Sequence, residues 1–204
     1  IDNALRQTAA LTGRSTEVTN QLRDTIIDLG IKTGLPIDKL AELSVALAES
    51  GKTLGDFDEK TQTTMGHLAT TFGLGVAGTM QLRAASMRLG RDVNDLAETG
   101  AAFGKKFGIT GVMQILPEVT NLAADAMVRF GKGVVGDEKK IIESTLKTSA
   151  AISKAFGRDL RESAGMARSS LEGFASETME QQKLMLGLTD TITPLRMSFL
   201  QAGI

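Results

Sequence analysis

Apolar residues recur along this chain at the three- and four-residue steps of a helix rather than the two-residue step of a strand. Val18, Leu22, Ile26 and Leu29 share one helical face. So do Val76, Met80, Ala84 and Met87; then Val93, Leu96, Gly100, Phe103 and Phe107; and later Leu160, Ala164, Ala167, Leu171 and Phe174. The spacing predicts an all-α fold of about nine or ten helices of roughly 12 to 20 residues. Its expected core includes Leu22, Ile26, Leu40, Leu47, Phe72, Leu96, Phe103, Phe107, Leu122, Phe130, Phe156 and Leu171.

Punctuation agrees with the rhythm. Asp56 precedes Glu59 by three residues and Asp159 precedes Glu162 by three, the spacing of an acidic N-cap with a partner that reaches back. Gly30, Gly51, Gly73, Gly90, Gly131 and Gly157 each follow a periodic segment, where a helix stop needs positive φ. Five of the eight Phe stand directly before Gly, at Phe72, Phe103, Phe107, Phe130 and Phe156, and each pair reads as a corner: a ring anchoring the helix end, a glycine reversing the chain. Pro36 and Pro194 suit first-turn positions, with Thr193 as a cap, whereas Pro117 interrupts a helical pattern running from Val112 to Phe130 and predicts a break or kink.

Two pairs recur at a separation of 35 residues: Leu54-Gly55 with Leu89-Gly90, and Phe72-Gly73 with Phe107-Gly108. The phrase Gly-Arg-Asp-apolar at Gly90 returns at Gly157. These imply successive helical hairpins with Gly-marked corners, without the aromatic positions of a tetratricopeptide array. The expected segments are N-terminal helices over 1–53, helical-hairpin repeats over 54–131 and C-terminal helices over 132–204, with one continuous helical domain as the alternative. Ile1 at one end and Ala202-Gly203-Ile204 at the other read as a piece of a longer chain.

Composition narrows the chemistry. With 23 Lys and Arg against 24 Asp and Glu, the chain has no basic excess to draw it to phosphate backbones. It has no Cys, hence no disulfide, thiolate nucleophile or zinc knuckle, and His67 is its single imidazole. Trp and Tyr are absent, while Gly at 22 exceeds the roughly 7% of average usage. Short helices interrupted by so many glycines lose much backbone entropy on folding, and small residues bury little area each. Isolated stability is therefore expected to be marginal and to gain from association. The uncharged stretch from Thr61 to Leu82 is too polar for a membrane span and reads as a buried helical pair; an inserting hairpin is its alternative.

Two glycine motifs invite a nucleotide reading and lack its context. Ala46 to Thr53, ALAESGKT, satisfies the loose phosphate-loop pattern, but a helix precedes it where a strand is needed. Gly73-Leu74-Gly75-Val76-Ala77-Gly78 matches the dinucleotide fingerprint, with Asp92 or Asp95 near the acidic position, yet no βαβ unit surrounds it, and a tight helix corner is the simpler account. His67 has no nucleophile or carboxylate set by spacing and reads as a packing residue. Asp56, Asp58 and Glu59 lack calcium-loop spacing and read as caps. Asp137-Glu138-Lys139-Lys140 reads as a solvated first turn, and the nine Met as gap fillers. No catalytic, cofactor-binding or metal-binding residue emerges, and the expectation is a non-enzyme without cofactors.

The stretch LGIKTGLPIDKLAELSVALAESGKT, from Leu29 to Thr53, resembles the helical segments of bacteriophage tail tape-measure proteins. Gly34, Leu35, Leu40, Ala41, Glu42, Leu43, Ala46, Leu47, Ser50 and Gly51 carry the likeness, and Gly-punctuated helices of similar texture continue to about Gly131. Sustained heptads, common in that family, are missing here, which suggests a compact helical section rather than the extended ruler. The resemblance implies a structural virion protein of the phage tail, assembled in the host cytoplasm. It would occupy the tail-tube lumen or tail tip, set tail length and leave on genome ejection. Its implied partners are a few copies of itself about a common axis, with alternating-sign faces such as Glu138 to Lys147 toward neighbours or water, and the tail-tube and baseplate or tail-tip proteins. Sequence-specific nucleic acid is not among them, and membrane contact on ejection stays open. The alternative is a helical membrane-active or secreted effector segment, inserting through Thr61 to Leu82.

Overall fold

The fold was analysed in a computed structural model, which describes residues 1–130, 138–157 and 159–166. It is all-α. The helices are α1 (Asp2–Thr12), α2 (Thr16–Thr33), α3 (Ile37–Ala48), α4 (Glu59–Ala69), α5 (Gly75–Leu89), α6 (Val93–Phe107), α7 (Val112–Phe130) and α8 (Glu138–Phe156), with a 3-10 turn at Leu54–Asp56 and a further helical stretch over 160–166. The chain divides into two compact units, Ile1–Ala101 and Ala102–Ile204.

In the first unit α3 is the hub, packed against α1, α2, α4, α5 and the 3-10 turn. Its Leu40, Leu43 and Leu47 are all fully buried. Three such leucines contribute about 1.5–3 kcal/mol each relative to exposure. The predicted face of α2 is confirmed at Leu22, Ile26 and Leu29, with Val18 half-buried. In the second unit α7 packs on α8, burying Ile115, Leu116, Val119 and Ala123 from one helix and Ile142 and Leu146 from the other. Thr120, Thr145 and Ser149 are buried as well. The Thr120 hydroxyl donates to the Leu116 carbonyl at 2.7 Å and that of Ser149 to the Thr145 carbonyl at 2.8 Å, so these hydroxyls are satisfied by their own helices.

The glycine stops hold at Gly51, Gly73, Gly90 and Gly157, all with φ between 61° and 71°. Gly30 is a correction: it lies inside α2, which runs on to an αL cap at Gly34. Its lack of a side chain serves packing, since a Cβ there would stand 2.8 Å from Ile37 Cγ1 as the chain folds back into α3. Gly131 lies outside the described residues. The repeated Gly-Arg-Asp phrase is one device used twice. Gly90 and Gly157 end a helix, then Asp92 Oδ1 accepts the Asn94 N–H at 2.8 Å and Asp159 Oδ1 the Arg161 N–H at 2.7 Å to begin the next. Asp56 is not the cap of α4. That role belongs to Asp58, whose Oδ1 accepts the Thr61 N–H at 2.8 Å.

The predicted core holds at Leu22, Ile26, Leu40, Leu47, Leu96, Phe103 and Leu122 and fails at Phe72 and Phe107, which are 39% and 45% exposed. Helix α4 ends at Ala69, so Phe72 sits in the turn rather than on a last helical turn. Phe107 rests on the buried Phe103, with ring centroids 4.5 Å apart, and carries the Lys106 ammonium 5.5 Å from its ring centroid at the surface. Phe103-Gly104 is mid-helix rather than a corner. The side chains of Phe130 and Phe156, and Leu171 and Pro194 entirely, lie outside the described residues. On α5 the predicted stripe is the wrong one: Met87 is 66% exposed and Ala84 is exposed, while the inward face is Thr79, Leu82, Ala85 and Ser86. Thr79 donates to the Gly75 carbonyl at 2.8 Å and Ser86 to the Arg83 carbonyl at 2.7 Å, which removes most of the cost of burying them. Pro117 does not break α7, which spans Val112–Phe130 unbroken. Placed in the second turn and buried, it forfeits one intrahelical hydrogen bond, and apolar packing on both sides carries the helix past it.

Candidate functional site

The phosphate-loop pattern at Ala46 to Thr53 folds as a helix ending. Ser50 N–H donates to the Leu47 carbonyl at 2.9 Å, Gly51 N–H to that of Ala48 at 2.9 Å and Lys52 N–H to that of Leu47 at 3.2 Å. Thr53 N–H donates to Asp56 Oδ2 at 2.6 Å. Every N–H from Ser50 to Thr53 is therefore engaged inside the chain, where a phosphate cradle would point them outward. Lys52 is exposed beside them.

The Gly73 to Gly78 pattern is the corner between α4 and α5, two helices packed on each other. Gly73 and Gly75 have φ of 70° and 67°, while Gly78 lies in α5, where a Cβ would meet Leu74 Cβ at 3.2 Å. Among the described residues the corner is flanked by helix on both sides. His67, half-buried in α4, has Nδ1 3.2 Å from the Thr71 hydroxyl and its ring edge-on to Phe72 at 6.5 Å. These contacts close the corner and bring no carboxylate to the imidazole.

Polar side chains converge instead at two places that sequence spacing did not single out. The first is Asp56. The Arg14 guanidinium donates to its Oδ1 at 2.9 Å and its Oδ2 at 2.7 Å, and Thr53 contributes its N–H and, at 3.1 Å, its hydroxyl. Partial burial pushes this carboxyl up, but the Thr53 N–H, the Arg14 guanidinium and the Thr53 hydroxyl outweigh it and hold the carboxyl below the ordinary value of 3.8. Thr53 and Asp56 make a reciprocal capping box around the 3-10 turn, and Arg14 ties the α1–α2 link to it. The second is a shallow cleft of about 200 Å³ lined by Thr25, Asp28, Leu29, Lys32, Glu59 and Gln62. Lys32 Nζ lies 2.8 Å from Asp28 and 3.3 Å from Glu59. Hydrogen bonds to Asp28 and then to Glu59 raise its pKa above 10.5. The one cation is shared by both carboxylates, so the trio keeps a single net negative charge and the cleft presents no free anionic pair.

The acidic group separates by role: Asp56 belongs to the turn box, Asp58 to the α4 cap and Glu59 to Lys32. Asp58 is held below the usual range by the Thr61 hydroxyl and N–H. Among the described residues no group of three or more His, Asp or Glu is placed to hold a metal ion, and no helix is long and apolar enough to cross a membrane. Asp137 lies outside the described residues; Glu138 opens α8, with Lys139, Lys140 and Lys147 exposed along it. A buried pair also escaped the sequence reading: Asn94 Nδ2 donates to Thr61 Oγ1 at 2.9 Å, joining α6 to the start of α4. Two polar residues, each one or two positions inside a predicted helix start, were the only signal. No protein family, curated protein or solved structure matches this chain.

Proposed function

We propose that this chain is a structural segment of a bacteriophage tail, a tape-measure-like protein held in the tail-tube lumen or at the tail tip that takes part in setting tail length and leaves as the genome is ejected. The observation that supports this reading is the folding role of the residues carrying the resemblance. Gly34 ends α2 in the αL conformation, Leu35, Leu40, Ala41, Leu43 and Leu47 are buried, the Ser50 hydroxyl donates to the Leu47 carbonyl at 2.8 Å, and Gly51 closes the unit with φ of 71°. The phrase thus supplies the stop of α2, the buried face of α3 and the turn that follows it, roles in packing that need no catalytic centre. Its partners in this reading are other copies about a common axis and the tube and baseplate or tail-tip proteins, with no base-specific contact to DNA.

Mass spectrometry of purified phage particles for peptides of this chain, with cryo-EM of the tail, tests the proposal. Peptides at a few copies per particle and density inside the tube are expected. Absence from particles, or leakage of liposomes caused by the chain, would overturn it, the latter in favour of the membrane-active alternative.

A further inference from the structure

An unmatched charge in the first unit sits on α5. The Arg83 guanidinium carbon lies 5.2 Å from the centroid of the Phe57 ring, and both side chains are half-buried there. Among the described residues no carboxylate comes within ion-pair distance of it. The two carboxylates nearest to Phe57 in sequence are turned to other donors, Asp56 to Arg14 and Thr53 and Asp58 to Thr61, and α5 itself carries no Asp or Glu. Burial accordingly pushes the guanidinium below its ordinary pKa of 12.5 with no neighbouring charge to offset it. Stacking on a ring engages the flat of the guanidinium and leaves its edge donors for water or an anion. Arg83 also has company. Val76, Met80, Arg83 and Met87 follow one another by four, three and four residues and so share one side of α5, where Met87 is 66% exposed and Val76 and Met80 are half-buried. With Phe57 this side is aromatic, thioether and guanidinium in make-up, without Lys, Asp or Glu, a composition that marks the core of protein interfaces rather than ordinary surface.

We propose that this side of α5, together with Phe57, docks an amphipathic helix of a partner protein that sets one carboxylate within its apolar stripe, opposite Arg83. Residues spaced by four, three and four form the kind of ridge along which a second helix packs. The planar guanidinium, backed by the ring, takes a carboxylate through two parallel hydrogen bonds, and apolar flanks that exclude water strengthen the pair. This docking goes beyond the tail reading and stands without it.

Fluorescence anisotropy with the whole chain and two synthetic helical peptides of about 18 residues tests this; the peptides share one stripe of Leu and Ala and differ only in Glu or Gln at its centre. The Glu peptide is expected to bind saturably and about tenfold more tightly than the Gln peptide. Arg83→Gln, checked for an unaltered circular dichroism spectrum, is expected to erase that difference, and Met87→Ala to weaken both peptides alike. No saturable binding, equal affinity of the two peptides for the parent chain, a Glu preference that survives Arg83→Gln, or unweakened binding to the Met87→Ala chain would each overturn the proposal. Uptake of the chain by phosphatidylglycerol vesicles that is lost in Arg83→Gln would overturn it in favour of an anionic lipid surface.

Discussion

Gly66 puts the packing argument to its sharpest test. It lies buried within α4, and a Cβ built on it would stand 2.6 Å from Leu35 Cδ1 and 3.1 Å from Leu40 Cδ2. Ala at a helix interior normally gains about 1 kcal/mol over Gly. Against this, ordinary carbon–carbon contact lies at roughly 3.5–4.0 Å. The new methyl therefore needs about 1 Å of room from Leu35 and several tenths of an ångström from Leu40. Leu40 is fully buried on the hub helix and Leu35 is 6% exposed, so both neighbours are pressed from one point with little space behind them. Overpacking of this kind costs about 1–3 kcal/mol. With two leucines displaced the upper part of that range applies, and Gly66→Ala is expected to destabilise the first unit by about 1–2 kcal/mol.

Lacking Trp and Tyr, the chain is best followed by circular dichroism at 222 nm during thermal and urea unfolding. For a unit of 101 residues, each kcal/mol moves Tm by about 4–8 °C. Gly165→Ala, in the helical stretch over 160–166 with nothing among the described residues within 4 Å of its added Cβ, is the matched control, expected to gain about 0.5–1 kcal/mol. Leu35→Ala combined with Gly66→Ala should cost less than the sum of the two changes, because the first removes the group that the second strikes. A Gly66→Ala chain as stable as the parent, or additive losses in the double variant, would refute the close-approach account of this glycine.

Leu82→Ala is expected to cost about 2–5 kcal/mol by opening a cavity, whereas Met87→Ala on the same helix should stay within about 0.5 kcal/mol; thermal denaturation of both checks which face of α5 is inward. Asp56→Asn is expected to cost about 1 kcal/mol at pH 7, discounted for the partial exposure of Arg14. Because the folded carboxyl lies below 3.8, its contribution is present above the unfolded pKa and lost as pH falls through the folded one, so the gap between parent and variant should begin to narrow below about pH 4 and close only once the folded carboxyl is itself protonated, as urea titrations at falling pH would show. Isothermal titration of ATP, GTP and NAD should show no saturable heat, and a micromolar site abolished by Lys52→Ala would overturn the reading of ALAESGKT as a helix ending.

The all-α character and several boundaries were legible because many helix ends carry a signal of their own: the pattern from Val112 to Phe130 marks α7 residue for residue. Which face turns inward was legible where the side chains are large, as on α2, and misread on α5, where they are small. There Thr79 and Ser86 are internally hydrogen-bonded and pack as spacers, while Met80 and Met87 carry more hydrophobicity than the fold uses. Aromatic anchoring misled at Phe72 and Phe107, because a ring beside a glycine can belong to the turn as well as to the helix. The Asp56 cluster was invisible for a different reason. Arg14 lies 42 residues from Asp56 in sequence, and only the packing of α2 against the 3-10 turn brings them together.

The compactness of the first unit bears on how it could serve in a tail. As one continuous helix its 101 residues would span about 150 Å, at 1.5 Å per residue. Folded, its longest helix is the 18 residues of α2, about 27 Å, and a compact unit of 100 residues has a radius of gyration of about 13 Å. The Gly-capped corners therefore give up most of the length that a ruler would gain from the same residues. If the tail proposal holds and the chain keeps this fold inside the tube, an in-frame deletion of residues 1–101 should shorten the tail by roughly 30 Å. If the corners open into extended helix, the loss should approach 150 Å. Tail lengths measured by cryo-EM separate the two values, because opening requires α3 to surrender Leu40, Leu43 and Leu47 to water, about 5–9 kcal/mol that neighbouring copies or the tube wall would have to supply.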